Sequence, residues 1–136
     1  MESSLAVEIG QAGATLRVEE PAPEQVGQSI TVSIEQPGIA VSTRVYLDSD
    51  GGGGLVEFFR SLADDWRGWD GPRKWSTLEG DFQLTCVHNG IGRILVHAEL
   101  GLDPWESGWK VTAVVVVDPG ALQGIATALH HLLANP

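Results

Sequence analysis

The stretch Ile30-Thr31-Val32-Ser33-Ile34-Glu35-Gln36-Pro37-Gly38-Ile39-Ala40-Val41-Ser42-Thr43-Arg44-Val45-Tyr46-Leu47 decides the class of fold. Ile30, Val32 and Ile34 alternate with Thr31, Ser33 and Glu35. After Pro37-Gly38 the alternation resumes, with Ile39, Val41, Thr43, Val45 and Leu47 on one side and Ala40, Ser42, Arg44 and Tyr46 on the other. Successive side chains of a strand point to opposite faces. Period two with one polar face therefore marks an antiparallel sheet with one side on a core. Pro-Gly between two such runs is a turn.

The same period runs upstream. Leu5, Val7 and Ile9 precede a turn at Gln11-Ala12-Gly13, and Leu16 and Val18 follow it. Glu19 to Glu24 reads as a loop, because Pro21 and Pro23 cannot donate to a ladder. Downstream, Asp48-Ser49-Asp50 and the run Gly51 to Gly54 end the strands, and the period becomes helical. Leu55, Phe58, Phe59, Leu62 and Trp66 form one stripe of an expected helix over Leu55–Arg67, with Gly68 as its stop. A loop carrying Trp69, Gly71-Pro72 and Trp75 leads back to strands.

In the next hairpin Phe82, Leu84 and Cys86 share a face, as do Ile94, Val96, Ala98 and Leu100. Their expected pairing is Cys86 with Ile94, Leu84 with Val96 and Phe82 with Ala98, across a long loop or glycine bulge over Asn89-Gly90-Ile91-Gly92. A last strand, about Trp109 to Val117, ends in four valines. Such a run is either covered on both faces or exposes a patch to a partner. Asp118-Pro119 is a helix start, followed by the stripe Leu122, Ile125, Ala126, Leu129, Leu132 and Leu133. The expected architecture is one α+β domain over residues 1–136. It has a bent antiparallel sheet of about seven strands and two helices, in the order four strands, helix, three strands, helix.

Eighteen Asp and Glu against eight Lys and Arg give a formal net charge of −10. That argues against nucleic acid and anionic membranes, whose binding needs cations to release counterions. No apolar run reaches the roughly 20 residues that cross a bilayer. Met1-Glu2-Ser3-Ser4 lacks a basic segment followed by an apolar one, so no signal peptide is expected and the expected location is cytoplasmic. The single cysteine, Cys86, excludes an internal disulfide.

No catalytic pattern emerges. The glycine run lacks the Lys-Ser or Lys-Thr of a phosphate-binding loop, and there is no G-x-S-x-G or H-E-x-x-H. His88, His97, His130 and His131 read as solvated surface histidines, and Cys86 as a small buried hydrophobe. The carboxylate pairs Glu19-Glu20, Asp48/Asp50 and Asp64-Asp65 read as solvated surface. No enzyme, cofactor or metal site is expected. The densest oddity is Trp66 to Trp75, where Trp66, Trp69 and Trp75 lie among Arg67, Arg73 and Lys74. Trp and Arg are the residues most enriched in binding hot spots. Trp69, Arg73, Lys74 and Trp75 are therefore the candidate partner-binding residues. Trp69 and Arg73 are the expected anchors, as positions the core does not obviously need.

Gly54-Leu55-Val56-Glu57-Phe58-Phe59, Leu62-Ala63-Asp64-Asp65-Trp66-Arg67-Gly68-Trp69 and Trp75-Ser76-Thr77-Leu78-Glu79-Gly80-Asp81-Phe82-Gln83-Leu84 resemble an uncharacterised family of small bacterial proteins. Through helix, Leu-Glu-Gly-Asp, strand, and then His88-Asn89-Gly90-Ile91-Gly92-Arg93-Ile94, that family is similar to immunity proteins of wall-associated polymorphic toxin systems. The resemblance implies a non-enzymatic protein that binds and neutralises a protein partner, a toxin domain. The alternative expectation is a small-molecule-binding module, with a cavity between sheet and helices and Trp75, Trp105 or Trp109 at its mouth.

Overall fold

The structure is a computed structural model that describes residues 6–11, 13–23, 28–47, 53–102 and 108–134. Strands β1 (Ala6–Gln11), β2 (Ala14–Pro23), β3 (Gln28–Gln36) and β4 (Ile39–Leu47) precede helix α1 (Gly53–Asp64). Strands β5 (Arg73–Ser76), β6 (Phe82–His88), β7 (Ile94–Leu102) and β8 (Trp109–Val117) follow. A single 3-10 turn, Pro119–Ala121, opens helix α2 (Leu122–Ala134).

The strands form two antiparallel sheets of four, each in simple chain order, rather than one bent sheet of about seven. Sheet A is β1 to β4 and sheet B is β5 to β8. The unforeseen strand is β5. Its four residues, Arg-Lys-Trp-Ser, are too few and too polar to show alternation, and pairing with β6 is what makes them a strand. The α+β class stands. The polar and apolar faces of the Ile30–Leu47 hairpin fall as read: Ile30, Val32, Ile34, Val45 and Leu47 are buried, and Ile34 lies opposite Val41.

Three boundaries differ from expectation. β2 continues through Glu20–Pro23, which had read as loop, with a register shift between Glu19 and Ala22. The described pairing of β1 with β2 begins at Ala6 opposite Glu19, and beyond the shift Ala22 and Pro23 lie opposite Ser29 and Gln28 of β3. α1 ends at Asp64, not Arg67. Its buried stripe is Leu55, Val56, Phe59, Leu62 and Ala63, and Trp66 falls outside it. Third, His88 pairs with Ile94, Cys86 with Val96, Leu84 with Ala98 and Phe82 with Leu100. The slip of two residues keeps every side chain on its expected face. It occurs because the loop Asn89–Arg93 is tighter than expected. Asn89 Oδ1 accepts from the Ile91 and Arg93 amides at 2.9 and 3.1 Å, and Gly90 and Gly92 take positive φ.

The inner faces of both sheets and the stripes of both helices form one core cluster. α2 lies against α1 and against β1 and β2. Asp118 caps the 3-10 turn as expected, accepting from the Gly120 amide at 2.8 Å. In the valine run, Val115 and Val117 are buried, whereas Val114 is exposed and Val116 half-buried on the outer face of sheet B. Among the described residues no helix is long and apolar enough to cross a membrane.

Candidate functional site

The segment after α1 is built by a tight reversal. The helix closes with Asp65 N–H to Leu62 C=O at 3.1 Å and Trp66 N–H to Ala63 C=O at 3.3 Å. Gly68 N–H then reaches Asp65 C=O at 2.9 Å, and Gly68 itself has φ 149°. This turns the chain toward β5 and delivers Trp69 to the edge of the core. The Trp69 indole is half-buried, and its Nε1–H donates to the Cys86 carbonyl at 3.3 Å. His88 meets it edge-on, ring centroids 5.3 Å apart. The Gly90 amide donates to His88 Nδ1 at 3.0 Å, which assigns the ring proton to Nε2, and Nε2 donates to the Trp66 carbonyl at 3.0 Å. His88 is thus a fixed joint between the two segments, not a solvated surface histidine.

Arg73 stacks over Trp69 at 5.0 Å from the ring centroid. Its Nη2 donates to Asp65 Oδ2 at 2.7 Å and its Nη1 to the Ser61 carbonyl at 3.4 Å. The guanidinium ties β5 to the end of α1. Trp75 lies opposite Leu84 and packs edge-on against Phe82 at 5.5 Å. Lys74 points the other way, onto the outer face of sheet B in a row with Thr85, His97 and Val114. The four candidate residues therefore do not converge on one point. Trp69 and Arg73 form one brace, Trp75 lies at the fringe of the core, and Lys74 is exposed on the opposite face.

The first large side chains that the segment shows to solvent are Trp66 and Arg67. Trp66 is 49% exposed, with the Arg67 guanidinium over its ring at 5.2 Å. It walls an open groove of about 260 Å³ with Ala63, Pro119, Gly120 and Gln123, between the end of α1 and the start of α2. Helical spacing assigned Trp66 to the core. The end of α1 at Asp64, followed by the turn at Gly68, puts it outside. A second surface lies on the outer face of sheet B. There Val87, Leu95 and Val116 form an apolar row, and Ile91, in the loop between β6 and β7, is 84% exposed.

Cys86 is fully buried, and burial pushes its thiol up from 9.0 to about 12, so no thiolate forms at neutral pH. Among the described residues no three His, Cys, Asp or Glu side chains gather as metal ligands do. Glu19 pairs with Arg17 at 3.2 Å, and Asp65 with Arg73. Asp48 and Asp50 lie outside the described residues, as does Trp105. Trp109 is half-buried against the core.

A family model described as a family of unknown function, DUF6228, matches residues 7–136. The chain belongs to that family. No curated protein matches it in sequence. The solved structure of the plant transcriptional regulator PBF-2 is similar in shape, with a TM-score of 0.48 and 10% identity, over 98% of this chain and 84% of that one. In this DUF6228 protein the Thr77-Leu78-Glu79-Gly80-Asp81 stretch is a structural turn. The Thr77 hydroxyl donates to Asp81 Oδ1 at 2.6 Å, the Thr77 amide to the Phe82 carbonyl at 3.0 Å, and Gly80 takes φ 78°. The stretch closes the β5–β6 hairpin and leaves Leu78 at its exposed tip.

Proposed function

We propose that this DUF6228 protein acts by binding a protein partner and carries out no chemistry of its own. The observation that carries the reading is Trp66. A tryptophan left half in water, stacked with an arginine and walling a groove beside two helix ends, has the composition and shape of a binding anchor. In this reading Trp69, Arg73 and His88 hold the anchor in place, and Lys74 and Trp75 belong to the supporting strand. An immunity-type inhibitor of a toxin domain is the specific form we favour. Its support is the resemblance carried by Gly54–Leu84 and His88–Ile94.

The test is to recover partners from the native host and measure their affinity for four variants. Trp66→Ala and Arg67→Ala are expected to weaken binding about tenfold or more while leaving the melting temperature unchanged. Trp69→Ala and Arg73→Ala are expected to lower both, because each removes contacts that hold the fold. Full binding by Trp66→Ala and Arg67→Ala would overturn the site. The second reading, a small-molecule module, is favoured by the groove itself. It would be selected by recovery of no macromolecule together with a ligand-dependent change in Trp66 fluorescence.

A further inference from the structure

Four strands end the two sheets, and three of those ends are managed. β1 and β8 lie against each other. A Cβ at Gly10 would collide with the Ala14 carbonyl and crowd Val115 Cβ at 3.1 Å, and Gln36 Nε2 donates to the Val114 carbonyl at 2.6 Å. β5 is four residues long, basic, and preceded by Gly71-Pro72, features that blunt an edge. Among the described residues β4 has a small contact with β7 but no short length, proline or bulge to blunt it. It runs nine residues in unbroken register with β3, without proline or bulge, and carries one charge, Arg44.

The Pro37–Gly38 turn sets which backbone groups of β4 are used. Gln36 and Ile39 flank a two-residue turn and form its closing hydrogen-bonded pair, so the odd-numbered residues of β4 bond to β3. Ala40, Ser42 and Arg44 then direct their N–H and C=O groups outward, and all three are exposed. The same strand leaves part of the apolar layer open: Ile39 is 37% exposed and Val41 half-buried.

We propose that β4 pairs with β4 of a second copy of this chain, antiparallel and centred on Ser42. In that register Ile39 meets Val45 and Val41 meets Thr43 of the second copy on the inner face, so the apolar layer of sheet A continues across the junction. On the outer face Ser42 meets Ser42, and Arg44 meets Ala40. Glu35 lies beside Ala40 in the β3–β4 register. Arg44 thus stands about 10 Å of backbone spacing from Glu35 of the second copy, with only the small Ala40 side chain between. Neither Arg44 nor Glu35 has an ion-pair partner among the described residues. The two-fold axis supplies both, twice. Centring the pair on Arg44 instead would set the two guanidiniums opposite each other. The net charge of −10 opposes self-association in general. Charges farther than about 8 Å from the junction are screened at physiological salt, which leaves the local Arg–Glu pattern to decide. Three hydrogen-bonded pairs add about six backbone hydrogen bonds. The surface is separate from the Trp66 groove, so the proposal stands apart from the partner-binding reading.

The test is sedimentation of the full chain at rising concentration. The expected species has twice the 14.5 kDa chain mass. Arg44→Glu is expected to weaken the dimer about tenfold, by removing two surface ion pairs and adding two repulsions. The double variant Arg44→Glu with Glu35→Arg restores it. Ser42→Pro, at an amide that β3 does not use, is expected to give a monomer with a near-native melting temperature. A chain that stays monomeric at its highest soluble concentration overturns the proposal, whatever else then binds the edge. So does a dimer indifferent to both Arg44→Glu and Ser42→Pro, or a charge swap that restores nothing.

Discussion

Cys86 occupies the middle of β6, between Leu84 and His88, with its side chain sealed under the core. Period two along Phe82, Leu84 and Cys86 was enough to place it inward, because that inference is local. Two outcomes follow. Thiol labelling of the folded protein should be slow and should accelerate sharply in denaturant; fast native labelling would place the side chain outside. The second concerns alkali. The folded thiol ionises near 12 and the unfolded one near 9.0, so between those values the unfolded chain holds fewer protons. The stability that this thiol contributes is whole below pH 9.0. It falls as pH rises toward 12, by roughly 1 kcal/mol per pH unit. Denaturant titrations of Cys86→Ala over the same range should lack that component, and equal slopes would refute it. Trp69 was not legible in the same way. Its indole N–H bonds a carbonyl on β6, and no local pattern announces a partner seventeen residues on.

At the scale of elements, the helices were legible in existence and stripe, and α1 was wrong at its end. Leu122, Ile125, Ala126, Leu129, Leu132 and Leu133 are all buried as their spacing required. In α1 the spacing of Phe58 and Trp66 fits a helical face as well as that of Val56 and Ala63 does. The choice between them is made by α2, which α1 packs against. The division into two sheets was not legible, because which strands share a ladder depends on non-local pairing and β5 shows almost no period. A helix of twelve or thirteen residues is marginal alone, so both must be held by burial. Fully burying each large apolar side chain contributes about 1.5–3 kcal/mol. Leu62→Asp and Leu129→Asp put an unpaired carboxylate where a fully buried leucine was. Each is expected to cost several kcal/mol, a large part of the roughly 5–15 kcal/mol that holds a domain. Circular dichroism should show loss of the cooperative transition, and a native melting temperature in either variant would reject the stripe.

Over the whole molecule the charge is uneven. Residues 1–50 carry eight carboxylates and two arginines, whereas residues 51–136 carry ten carboxylates, four arginines and two lysines. The described part of that excess lies on sheet A, where Glu8, Glu19 and Glu35 line an open groove of about 220 Å³ and Arg17 bridges Glu8 and Glu19. The proposed anchor at Trp66 and Arg67 lies away from it, after α1, in the more basic half of the chain. Field and contact are thus separable: the acidic half sets how fast a basic partner arrives, and the Trp66 groove sets how long it stays. A field of one sign raises association rates by roughly tenfold to a thousandfold at low salt. The on-rate for a basic partner should therefore drop steeply as salt rises, and the off-rate should barely change. Glu8→Gln with Glu19→Gln should lower the on-rate at low salt and leave the off-rate alone, whereas Trp66→Ala should raise the off-rate. Stopped-flow association over a salt series measures both. A partner whose on-rate ignores salt would remove the steering role, and with it any function for the acidity beyond solubility.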